Sequence, residues 1–111
     1  MNTIEENIVI LDSFLKLKYD WNDHGADPFL EEHIESVKQL IKILDHQPEI
    51  FPTAAHGIHL EYDQDDEVLI FDYKQNNKIK YFRRFKDGKT IETSINIADI
   101  KNEINDFYST K

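Results

Sequence analysis

The apolar residues of this chain change their period partway along it, and that change restricts the fold more than any motif does. Up to Leu44 they recur every three or four residues, the spacing of one helix face. Ile4, Ile8, Leu11 and Leu15 form a first such row, widened by Ile10 and Phe14; Leu30, Ile34, Val37, Ile41 and Leu44 form a second. From Ile58 onward the rule becomes alternation, the period of a strand. Ile58, Leu60 and Tyr62 are followed by Leu69, Phe71 and Tyr73, then Ile79, Tyr81 and Phe85, then Ile91, Thr93 and Ile95. A helical row returns in Ile97, Ile100, Ile104 and Phe107. The expected order is αα-ββββ-α: a helical hairpin, a four-stranded antiparallel meander and a C-terminal helix, in one α+β domain over residues 1–111.

Local chemistry marks the joints. Thr3 with Glu6 is a capping box for the first helix. Asp27-Pro28 predicts the start of the second, with Asp as the cap and Pro in the first turn, and Pro48 its end. Glu31, Glu32 and Glu35 precede Lys38 and Lys42, which suits the helix dipole. Residues 48–57 are expected to connect helix and sheet. Gln64-Asp65-Asp66, Asn76-Asn77 and Asp87-Gly88 are turn signals between strands. Val68 and Ile70 lie opposite Leu69 and Phe71, so this strand could be buried on both sides. Arg83 falls in phase with Ile79, Tyr81 and Phe85. An inward arginine needs a carboxylate partner or a route to water, unless a bulge turns it out.

Composition excludes several classes. Seven Phe, five Tyr and one Trp among 111 residues provide a core, which a disordered chain lacks. There is no cysteine, so disulfides and thiolate metal sites are excluded and a reducing, cytoplasmic setting is expected. The acidic, amphipathic start is unlike a signal peptide, and no apolar run approaches the ~20 residues of a membrane span. The net charge is −9, yet residues 74–90 hold seven of the thirteen basic groups against Asp87 alone. Duplex nucleic acid needs a dominant basic field and is not an expected partner. A protein with a basic surface is.

Two segments carry a resemblance. Trp21-Asn22-x-x-Gly25-Ala26-x-Pro28 precedes the second helix, and Pro52-Thr53-x-x-x-Gly57-Ile58-x-Leu60-Glu61-Tyr62 opens the sheet. Together they resemble a group of small, uncharacterised domains encoded by bacteria and phages, in which a W-(N/D)-x-x-G-(A/S)-x-P loop is followed by a P-T-x-x-G-G-I-x-L-E-(W/Y) strand. Here His56 stands for the first glycine of the pair, with one extra residue before it. The resemblance spans about half the chain. It implies a shared fold and no particular activity, and its phage setting points towards defence or counter-defence.

The candidate sites compete with simpler roles. Trp21 and His24, with Thr53, His56 and His59, could form two walls of a pocket for a small molecule or nucleotide signal. Alternatively Trp21 plugs the core while Gly25 and Asp27 serve the backbone. His59, Glu61 and Asp63 share one strand face, the geometry a metal would need, but histidine and acids on an exposed face are ordinary, and neither a metal nor a cofactor is expected. Ser13, Ser36, Ser94 and Ser109 lack a nucleophile elbow, and no glycine-rich phosphate loop exists, so no catalytic residue is assigned. Lys78, Lys80, Arg84 and Lys86 around Phe82 have the make-up of a single-strand nucleic-acid platform. Facing carboxylates at Glu61, Asp63, Asp72 and Glu92 would neutralise it. The expected function is a small acidic protein-binding module resembling an antitoxin, immunity protein or phage inhibitor. Its binding faces would be Glu31, Glu32 and Glu35 on the second helix and the run Glu61, Asp63, Asp65, Asp66, Glu67. The last helix could also serve a homodimer.

Overall fold

A computed structural model describes residues 2–18, 28–53 and 57–109. Its elements are α1 (Ile4–Phe14), α2 (Glu31–Ile43), β1 (Glu49–Thr53), β2 (Gly57–Gln64), β3 (Glu67–Lys74), β4 (Ile79–Arg84), β5 (Thr90–Ile95) and α3 (Ile97–Ser109). The strands form one antiparallel sheet in chain order, β1-β2-β3-β4-β5. The class is α+β, as the change of period requires, but the sheet has five strands rather than four. The additional strand is β1, drawn from the segment expected to be a connection. Pro48 and Pro52 hide it in the sequence. A proline cannot donate to a ladder, and Pro52 is accommodated because β1 is an edge strand.

Alternation decides the two faces of the sheet. Ile50, Ile58, Leu60, Tyr62, Leu69, Phe71, Tyr73, Ile79 and Tyr81 are buried on the inner face. The core continues into the helices through Leu11 and Phe14, through Ile34, Val37, Leu40 and Ile41, and through Ile100, Ile104 and Phe107. Val68 and Ile70, on the other face, are half-buried.

The capping box of α1 is present: Glu6 N–H donates to Thr3 Oγ1, and Thr3 N–H to Glu6 Oε1. The face of α1 is rotated from the expected one. Its buried positions are Asn7, Leu11 and Phe14, while Leu15 is exposed. Asn7 takes the central place because its amide is fully employed. Nδ2 donates to Gln47 Oε1 (3.0 Å) and Pro48 O (3.1 Å), and Oδ1 accepts from Asn2 (2.9 Å). Gln47 Nε2 in turn donates to Ile41 O and Leu44 O, closing the C-terminal end of α2. One polar chain thus ties α1, α2 and the entry to β1, satisfying groups that would otherwise be buried unpaired.

The second helix begins at Glu31, three residues after Pro28, with Leu30 at its cap and no side-chain cap bond. Asp27 lies outside the described residues. The later start follows from Phe29, which is buried and packs on the rings of Phe14 and His33. His33 is itself buried and donates from Nε2 to Tyr73 O at 2.9 Å, joining α2 to β3. Burial depresses its pKa below 6.5, against the opposing pull of that hydrogen bond and of Asp72.

The turns follow the expected sites. Asp65 and Asp66 both adopt positive φ between Gln64 and Glu67, which suits a tight two-residue hairpin. Gly88 has φ of 90° in the β4–β5 turn, and the bonds Gly88 N–H to Phe85 O and Phe85 N–H to Lys89 O make that loop three residues long. Arg83 faces inward, only 6% exposed. Its guanidinium lies over Phe85 and Phe107, and Nη1 donates to Asp106 Oδ2 at 3.2 Å. Asp106 is largely exposed, so the buried cation is connected to the surface through α3.

Candidate functional site

The helices pack on the inner face of the sheet, so the outer face carries the polar residues that the sequence singled out. The registers arrange them in rows. Phe51, His59, Asp72, Lys80 and Ser94 follow one another across the five strands. The next row is Glu49, Glu61, Ile70, Phe82 and Glu92. The third is Asp63, Val68, Arg84 and Thr90.

Charge is divided along these rows. At one end Asp72 stands directly opposite Lys80 and pairs with Lys74 at 2.8 Å. Phe82 has Ile70 and Glu92 as its cross-strand neighbours, while Lys80 and Arg84 flank it along β4 on the same face. At the other end carboxylates accumulate on β1 and β2. Glu49 is the register partner of Glu61, and Asp63 follows two residues on, on the same face of β2. The Asp63 carboxyl is raised above its usual value, first by partial desolvation and then by Glu61 and Glu49; Arg84 offsets only part of this. The strip continues to Asp65 and Asp66, both exposed in the turn. Glu67, the last of the expected run, is buried and does not belong to the exposed strip.

Beside the strip is a hollow of about 230 Å³ lined by Gln47, Glu49, Glu61, Tyr62, Asp63 and Tyr108. Tyr62 donates its hydroxyl to His46 O at 2.7 Å, and Tyr108 stacks on His46. Both phenols are raised by burial, so they stay protonated across the physiological range. Among the described residues no group of His, Asp and Glu is arranged to hold a metal ion.

The expected pocket is seen only in part, since Trp21, His24 and His56 lie outside the described residues. Thr53 is used by the backbone. Its hydroxyl accepts from Gly57 N–H at 3.1 Å and donates to Gly57 O at 3.0 Å, holding the ends of the β1–β2 connection together. Gly57 has no room for a side chain, because a Cβ would stand 2.1 Å from Asp72 Oδ1. His59 donates to Glu61 at 3.1 Å and meets the edge of Phe51. These contacts give the Pro52–Gly57 motif a local structural cause.

Glu31, Glu32 and Glu35 do form one surface. With Leu30, Ser36 and Gln39 they line a shallow groove of about 770 Å³ on α2. That groove lies on the helix-covered side of the sheet, whereas Glu61 and Asp63 lie on the other. The two acidic sets are therefore separate surfaces. Sequence reasoning missed Glu49, because its segment was not recognised as a strand. The signal was there: Ile50 alternates with Glu49 and Phe51.

Helices on one side of a five-stranded antiparallel meander, with a carboxylate strip on the other, define the class of this domain. The chain matches no model of a protein family, no curated protein and no solved structure. None of the described helices is long and apolar enough to cross a membrane.

Proposed function

We propose that this chain is a protein-binding module, acting in the cytoplasm, that docks its outer carboxylate strip on a basic surface of a larger protein and blocks that surface. The observation that carries the reading is the crowding of carboxylates on β1 and β2, where Glu49 stands opposite Glu61 and Asp63 follows on the same face; the Asp63 carboxyl is raised first by partial desolvation and then by these two neighbours. A strip of like charge costs stability in the free chain, and a cationic partner would relieve it. The net charge of −9 supports the same reading, since it would steer a basic partner towards the chain and affect the on-rate more than the final affinity. Small antitoxins, immunity proteins and phage-encoded inhibitors work by such steric and electrostatic blocking.

The test is capture from a lysate of the native host at low and high salt. The expected result is a stoichiometric partner at low salt, released as salt rises. The triple variant Glu49→Gln, Glu61→Gln, Asp63→Asn should weaken that capture by about tenfold or more. A chain that retains no stoichiometric partner at low salt, or whose partner ignores both salt and the triple variant, does not work this way.

A further inference from the structure

The two edges of the sheet differ, and β5 is the open one. Among the described residues no element covers it, and Thr90 to Ser94 are all exposed. The bond from Phe85 N–H to Lys89 O fixes the phase of the β4–β5 ladder. Alternation in an antiparallel pair then directs the backbone groups of Ile91, Thr93 and Ile95 towards β4. The N–H and C=O groups of Thr90, Glu92 and Ser94 point outward. Such a row is a template for another strand.

Beside this edge runs a groove of about 550 Å³ between β5 and α3. Tyr81, Ile91 and Ile95 contribute apolar surface to it, and Ile91 is 46% exposed. Asp99 and Glu103 of α3 line the same groove. Glu103 accepts a hydrogen bond from the Tyr81 hydroxyl at 3.3 Å, which orients it there. Asp106, one turn on, is occupied by Arg83.

We propose that β5 is a strand-addition site, at which an extended, lysine- or arginine-bearing segment of a partner protein pairs with Thr90–Ser94 as a sixth strand and directs alternate basic side chains to Asp99 and Glu103. This rests on the reading of the chain as a protein-binding module, and adds a second place, apart from the outer carboxylate strip, and the conformation in which a partner segment is held there. Charge selects this occupant over a second copy of the chain. Two β5 edges paired antiparallel about Thr93 would place both α3 helices on the same side of one sheet, with the Asp99 and Glu103 walls facing each other. A basic strand neutralises that wall, and its aliphatic stems cover Ile91 and Ile95.

The experiment titrates the isotope-labelled full chain with an acetylated, amidated peptide of alternating Lys and Val. Amide shifts and slowed hydrogen exchange are expected at Thr90, Glu92 and Ser94. Ser94→Pro removes an outward N–H that β4 does not use, and should weaken binding about tenfold while leaving the fold intact. Thr93→Lys places a positive charge in the groove without touching the backbone, and should weaken it similarly. Either variant suffices if the other fails to fold. Shifts confined to Glu49, Glu61 and Asp63, with β5 unmoved, would overturn the edge site while leaving the protein-binding reading intact. Undiminished binding by the variants, or no binding at all, overturns it too. A peptide-free chain that sediments as a dimer with Thr90, Glu92 and Ser94 already protected overturns it in favour of self-pairing. Loss of the reading itself shows elsewhere, in the lysate capture, whatever the peptide does.

Discussion

The edge strands β1 and β5 belong to one sheet but meet opposite circumstances. β1 is short, contains Pro52, and has α1 against it. Its entry is held by Asn7 through Pro48 O, and its exit by the two hydrogen bonds between the Thr53 hydroxyl and the Gly57 backbone. β5 has no proline and no buried residue, and among the described residues no helix lies across its edge. The cause is chain order. β1 follows two helices that pack on each other, with α1 beside it, whereas β5 leads through Asn96 straight into α3, which packs on the inner face. Natural sheets usually blunt an edge with proline, charge or cover. Here β1 carries two of these devices, whereas among the described residues β5 has neither proline nor cover.

The largest effect that would break this comparison is at Asn7. Asn7→Ala leaves Gln47 Oε1 and Pro48 O without their donor in a buried place. It should cost about 2 kcal/mol in urea denaturation, and should speed hydrogen exchange in β1 before β3. If β1 exchanges no faster, its protection has another source.

His33, between the edges, gives a smaller effect with a definite sign. Its folded-state pKa lies below 6.5, so the unfolded chain takes up the proton first. Its contribution is intact above that value and is lost as pH falls through it, at up to about 1.4 kcal/mol per pH unit until the folded-state value is reached. His33→Gln keeps a donor for Tyr73 O and should flatten the pH profile of the urea midpoint below 6.5. An unchanged slope would mean that another group titrates. The raised carboxyl of Asp63 acts in the opposite sense at lower pH, since its protonation relieves repulsion in the folded chain.

The smallest effect is expected on the open side. Ile91→Thr should change stability by less than about 0.5 kcal/mol, because nearly half of Ile91 is already in water. A loss comparable to that of Asn7→Ala would mean that β5 is covered in solution, and would close the difference between the two edges.

The expectation for α1 held at Leu11 and Phe14 and failed at Ile8 and Leu15, in an informative way. Ile8 and Leu15 have the right spacing for its core face, yet Asn7, Leu11 and Phe14 hold it. Hydrophobic periodicity cannot anticipate a buried asparagine, because its burial depends on Gln47 and Pro48, some forty residues away in the chain. The acidic run follows β2 and its turn from Glu61 to Asp66, whereas Glu67 opens β3 and its burial follows the inward phase of Leu69 and Phe71. Glu49 was hidden by the prolines on either side of it. Phase alone left Arg83 open between an inward side chain and a bulge that turns it out; the structure decides for the inward one, because Asp106, 23 residues further on, supplies its carboxylate.

The sequence by itself determined what depends on neighbours along the chain: the three helices, the four alternating strands, the capping box of Thr3 and Glu6, and the places where the chain turns. These follow from period, side-chain length and backbone freedom over a few residues. Only the tertiary structure decided that β1 joins the sheet, that Asn7 rather than Ile8 is buried, that the two acidic sets lie on opposite sides, and that β5 is left open. Each of those outcomes depends on which distant group satisfies a buried donor, covers an edge or faces a like charge, and separation along the chain holds no record of distance across the fold.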